Sequence, residues 1–161
     1  MPSDGRMTTE AVGIDFTAHV LLWGLRAHVV GRDQCPLVRR RFHELCGDRA
    51  DELVGALLLV VRLLALKSQR RIKVHLPGCA AISGDEMMLL AAVADAQDRC
   101  GALPGPAQSW MARLTGGVFD PSLERSVGDL AALLSRSGRK LDRIGRWPHS
   151  PSEPPERPTL H

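Results

Sequence analysis

The hydrophobic and polar positions of this chain recur with helical rather than strand periodicity from one end of its centre to the other. Between Ile14 and Val30 the apolar residues Ile14, Ala18, Leu21, Leu22, Leu25 and Val29 form one stripe, flanked by Phe16, Val20, Trp23 and Ala27, so the pattern predicts a helix with a wide apolar face. Asp15 or Thr17 is placed to cap its start and Gly31 to end it. Pro36 opens a second helix that runs to about Gly47, with Arg39, Arg40 and Arg41 on the solvent side. A third helix is predicted from Asp48 to about Gln69. Its middle, Leu53 to Leu66, is apolar almost all round, a composition normally found on a helix enclosed by others. Replacing Leu59 or Leu63 by Ala is then expected to cost roughly 2–5 kcal/mol.

The remainder reads as helices separated by strong punctuation. Arg71 to Leu76 alternates like a strand, but no second segment offers it a sheet partner, so an extended connector is expected. Pro77 and Gly78 mark a turn, and Ser83 with Glu86 three residues later fits a capping box that starts a fourth helix, closed by Gly101. Asp95 and Arg99 are spaced to pair on its outside. A short helix over Ala107 to Leu114 and another from Asp120 and Pro121 follow. The second of these carries Leu123, Val127, Leu130 and Leu134 on one face and is weakly extended by Arg139 to Arg146. The fold class is therefore all-α: a compact bundle of five or six helices around a central apolar helix (about 48–69). Residues 1–13 form a flexible N-terminus, 14–146 the helical domain and 147–161 a disordered, Pro-rich tail.

Composition narrows the class without naming a function. The chain has 161 residues, enough for one domain with a real core; 44% are hydrophobic and 24% charged, ordinary for a globular protein. Tyr is absent and aromatics are scarce, so packing relies on Leu, Val and Ala. The net charge of +3 is mild and falls short of the dense field of a DNA-coating protein. The first ten residues lack the order of a secretory signal, and the two most apolar segments are too short or too charged to span a bilayer. A cytoplasmic, membrane-free protein is expected. Its cysteines Cys35, Cys46, Cys79 and Cys100 show no C-x-x-C spacing and are expected to be free thiols.

Four kinds of chemistry are conceivable for these residues. A metal site could draw on His43 and Cys46, and on His75 and Cys79, but the spacing matches no finger, and small packed cysteines are the plainer account. A thiol or hydroxyl nucleophile could be Cys79 or Ser83, with His75 as base and Asp85 nearby. A capped turn explains those residues more simply, and G-x-S-x-G, the Walker loop, H-E-x-x-H and the Rossmann glycines are all absent. DNA binding could use the basic clusters at 39–41, 67–73 and 136–146 if they converged. Protein binding or self-association could use the apolar surplus of the first helix with Trp23, Trp110, Met87, Met88 and Met111, although a core needs the same residues.

The run Leu21-Leu22-Trp23-Gly24-Leu25-Arg26, with Pro77-Gly78-Cys79, Asp85-Glu86 and the helix carrying Gln97, resembles small helical proteins of bacteria over about the first hundred residues. That resemblance implies no activity and no functional residues. The reading that results is a non-catalytic bacterial regulatory or accessory protein, needing no cofactor, that acts through protein–protein contacts. Its candidate partner-binding residues are Lys67, Arg70, Arg71, Lys73 and His75 in the connector between two rigid helices. Dipole complementarity accounts for Lys67, Arg70 and Arg71 at a helix C-terminus without any ligand.

Overall fold

The computed structural model describes residues 15–100, 102–105 and 108–142. The two predicted tails, 1–13 and 147–161, lie outside the described residues. Within the described residues the chain is all-helical, with no strand: α1 (Phe16–Val29), α2 (Pro36–Cys46), a 3-10 turn (Gly47–Arg49), α3 (Ala50–Lys67), α4 (Gly84–Asp98), α5 (Trp110–Thr115) and α6 (Pro121–Arg136). Helix α3 packs against α1, α2 and α6, while α4 packs against α5 and α6 and more lightly against α1. One continuous core of Leu, Val, Ala and Met side chains joins them, and the Phe42 ring is fully buried within it.

The helix boundaries follow from local chemistry. Asp15, not Thr17, caps α1: its Oδ1 accepts from the Ala18 N–H at 2.7 Å, whereas Thr17 is buried. Gly31 takes a left-handed conformation (φ 73°) beyond the end of α1, and the Arg32 N–H closes back on the Ala27 carbonyl at 2.7 Å. Helix α3 starts two residues later than its acidic residues suggest, because Gly47 to Arg49 form the 3-10 turn first. It also stops at Lys67, so only Lys67 of the three expected cations sits on the last turn. Arg70 and Arg71 lie beyond the helix, and the dipole does not explain them. The fourth helix turns off at Cys100, a non-glycine residue with φ 53°; Gly101 lies outside the described residues.

Two further expectations change. The basic segment after Ser137 does not prolong α6 within the described residues. Gly138 (φ 71°) ends the helix, the Arg139 N–H bonds the Leu134 carbonyl, and Leu141 is then buried in the bundle. Gln97 of α4 holds this strap by donating to the Arg139 carbonyl at 2.8 Å and accepting from the Leu141 N–H at 2.9 Å. The apolar surplus of α1 also goes inward. Ten of its fourteen residues are buried, Trp23 lies partly covered against the core, and Met87 and Met111 are core residues. At Gly24 the absent side chain is the reason for the packing, since a Cβ there would stand 2.5 Å from Cζ of Phe42.

The most apolar helix is central to these contacts, yet one of its sides is open. Leu53, Leu57, Val60 and Leu64 are buried, whereas Leu59 is 48% exposed and Leu66 78% exposed. The large cavity cost expected of Leu59 therefore belongs to the opposite stripe. Leu57→Ala should lower stability by about 2–5 kcal/mol, and Leu59→Ala by less than about 1 kcal/mol. Urea melts of the two variants check this, and equal losses would show that the outer side of α3 is covered.

Candidate functional site

The connector between α3 and α4 is organised by two consecutive acids in the first turn of α4. Ser83 and Glu86 form the predicted capping box: the Ser83 Oγ accepts from the Glu86 N–H at 3.0 Å, and Glu86 accepts from the Ser83 N–H at 2.8 Å. Glu86 does more than cap. It is 1% exposed and faces Arg26 of α1, itself 4% exposed. The Arg26 Nε donates to Glu86 Oε1 at 2.7 Å and Nη2 to Oε2 at 3.0 Å, a two-pronged pairing. Two further guanidinium protons go to the Cys79 and Ala81 carbonyls, each at 2.7 Å, and the His75 N–H donates to Glu86 Oε1 at 3.1 Å. Burial pushes the Glu86 carboxyl up, but the Arg26 bonds, the two backbone N–H groups and the guanidinium charge outweigh it and hold the pKa below its ordinary value.

Asp85 ties down the first half of the connector in the same way. It accepts from both Nη atoms of Arg70, at 2.5 and 3.1 Å, and from the Lys73 N–H at 2.7 Å. The Lys73 carbonyl takes the Ser83 hydroxyl proton at 2.5 Å. Lys67 pairs with Asp120, the residue that caps α6, at 3.2 Å. Asp120 is held below its usual pKa first by the Leu123 N–H and then by Lys67. Of the five predicted contact residues, then, Lys67 and Arg70 bind acids of the same chain, Arg71 and Lys73 have exposed side chains, and His75 is half-buried. Ser83 is buried and its hydroxyl is engaged on both sides, so it is a cap rather than a nucleophile.

The basic clusters are largely answered within the chain. Arg40 and Arg41 both pair with Glu44, Arg139 donates to the Leu45 carbonyl and lies over the Phe16 ring, and Lys140 pairs with Asp98. Residues 143–146 of the third cluster lie outside the described residues. Among the described residues no group of three or more His, Cys, Asp or Glu side chains could hold a metal ion, and the four cysteines are unpaired, with Cys79 exposed. No helix among them is long and apolar enough to cross a membrane.

Two features escape sequence reasoning. One is Glu124 of α6, which is 7% exposed and accepts a hydrogen bond from the Ser109 hydroxyl beside a cavity of about 20 Å³. Burial pushes its carboxyl up to about 7, with Arg99 lowering and Asp95 raising it in smaller measure. The other is the outer side of α3. The stripe Glu52, Gly55, Leu59, Arg62, Leu66 advances by three and four residues alternately, and every one of its members is exposed. Between Val54 and Leu66 the positions that are not buried are Val54, Gly55, Ala56, Leu58, Leu59, Val61, Leu63, Ala65 and Leu66, and Arg62 alone is polar. The apolar run was visible in the sequence; that one side of it stays open was not.

Compared with family models, curated proteins and solved structures, the chain matches none.

Two consequences are measurable. Removing Arg26 leaves the Glu86 carboxylate buried without its partner, so Arg26→Met should cost about 3–5 kcal/mol at neutral pH. Because the Glu86 pKa is depressed in the fold, the wild-type contribution is present above its ordinary range and lost on acidification. The gap between the two proteins in urea melts should narrow toward about pH 4. Glu124 has the opposite sign. Its raised pKa makes the fold most favourable below the ordinary value of 4.5, and that contribution is lost as the pH climbs to about 7. Glu124→Gln should flatten this slope and stabilise the protein above it, by up to about 3 kcal/mol. Parallel slopes for the two proteins would contradict it.

Proposed function

We propose that the protein is a non-catalytic helical binding protein, a cytoplasmic regulatory or accessory protein of a bacterium, that acts through protein–protein contacts. The observation that carries this reading is the outer side of α3, where over about three turns Gly55, Leu59, Ala65 and Leu66 are exposed around a single charge, Arg62. Scattered exposed apolar residues are ordinary on any surface; a continuous helical face of them marks a contact site. Lys67 closes this helix and the connector carrying Arg71, Lys73 and His75 follows, so the apolar face ends in a basic rim suited to an acidic margin on the partner. Unpaired Cys35, Cys46, Cys79 and Cys100 agree with a reducing compartment. A DNA-binding reading draws on fewer free cations than the sequence suggests, since Lys67, Arg70, Arg40, Arg41 and Lys140 each face an acid.

A photoreactive residue in place of Leu59, expressed in the native cell, should form a covalent protein adduct, and the same residue in place of exposed Arg125 on α6 should not. Equal labelling at both positions, or none at position 59, would count against the reading. Fluorescence anisotropy with duplex DNA at low salt should show no binding; a complex that dissolves as salt rises would favour the nucleic-acid alternative.

A further inference from the structure

We infer that the partner of this face is a second copy of the chain, and that two α3 helices pair antiparallel about a two-fold axis. This rests on reading the outer side of α3 as a protein-binding face, and three observations carry it further. The first is spacing. Glu52, Gly55, Leu59, Arg62 and Leu66 follow the three-then-four alternation of a coiled-coil seam, yet in the single chain they face solvent. Exposed Ala65 and half-buried Leu58 widen it on one side; on the other, Ala56 and Leu63 are half-buried and pack against the core of their own bundle.

The second is Gly55. It sits in the middle of α3 on the exposed side, and a Cβ added there would meet nothing within 4 Å. No turn, positive φ or neighbouring side chain in the single chain calls for glycine, and glycine weakens a helix interior relative to alanine. A second helix lying across this point supplies the missing reason, because a side chain from it would fill the space over the bare backbone.

The third is charge. The first turn of α3 is acidic, with Asp51 and Glu52, and the half that follows holds Arg62 and ends in Lys67. Parallel pairing would set Glu52 against Glu52 and Arg62 against Arg62. Antiparallel pairing sets each Arg62 against the other copy's Glu52, and the same register sets each Leu59 against the other copy's Gly55. The charge match and the glycine hollow thus select one register independently, and the two helix dipoles also oppose in it. A two-fold axis makes each of these contacts occur twice, the closed arrangement of a self-complementary face, and leaves Leu66 at its end beside the turn that precedes the other copy's helix.

Sedimentation of the full chain tests this. The mass should rise from 17.5 kDa toward twice that value with concentration. Leu59→Glu should hold the protein at the monomer mass while its circular-dichroism melt when dilute stays close to wild type, because Leu59 is half exposed in the single chain. Arg62→Glu should weaken association by roughly tenfold, since two attractive pairs become repulsive, and adding Glu52→Arg to it should restore association. Gly55→Ala should raise the melting temperature of the dilute protein and yet weaken association. A wild-type chain that stays monomeric at every concentration overturns the inference, as does a charge reversal that is not rescued. A monomer that is still cross-linked through position 59 to another protein leaves the binding reading standing and removes only self-pairing; no adduct at all removes both.

Discussion

The Arg26–Glu86 pair is the interaction on which most of the remaining structure depends. A charge at such depth is tolerable only when every polar atom around it is answered, because stripping water from each ion costs several kcal/mol. Here the answer is complete on the acid side. One carboxylate receives the guanidinium on both oxygens, the N–H that opens its own helix, and the His75 N–H of the connector. The guanidinium gives two more protons to two carbonyls of the turn before α4. One buried pair therefore docks α1 against α4 and prescribes the path of about ten connector residues that have no regular hydrogen bonding of their own.

This explains why the connector is neither strand nor loose loop. An extended segment between rigid helices must place its backbone polar groups somewhere, and these go to the two acids at the start of α4 and to Ser83. Arg70 completes the arrangement from the other end by spanning to Asp85. The basic string after α3 therefore has two kinds of member. Lys67 and Arg70 bind the chain to itself, while Arg71 and Lys73 are left to solvent. Their neighbours in sequence do not separate these classes; only the positions of Asp85 and Asp120, far along the chain, do.

Much of the fold was legible because helix ends are written locally. Asp15, Pro36, Ser83 with Glu86, and Pro121 act within three residues of themselves, and each starts its helix as expected. Long-range partners were not legible. No local pattern marks Arg26, Glu124 or Gln97 as a residue that ties distant parts of the chain together. Their meaning comes from residues 60, 15 and 44 positions away. Gly138 shows the opposite failure. It is a local stop signal that basic composition after it obscured, and the buried Leu141 could have been found by asking why a single leucine sits in a charged run.

The apolar run of α3 shows how far hydrophobicity alone can be taken. Counting apolar residues makes the helix look enclosed, since thirteen of the fourteen residues from Leu53 to Leu66 are uncharged and apolar or glycine. Phase carries the missing information. The exceptions to the pattern, Glu52, Gly55 and Arg62, fall at intervals of three and seven, which places all of them on one stripe of a helix with 3.6 residues per turn. An unpaired charge on an otherwise apolar helix is costly inside a packed core and cheap outside it, so the common stripe of Glu52 and Arg62 identifies the side that the bundle does not cover. Leu59 and Leu66 share that stripe, and their exposure follows from the same phase. A helix built this way is centred in its own bundle on one side and unfinished on the other. What the run encodes is two sides of different kinds: a Leu-Leu-Val-Leu face closed by α1, α2 and α6, and a sparser, charge-marked side that those helices do not cover.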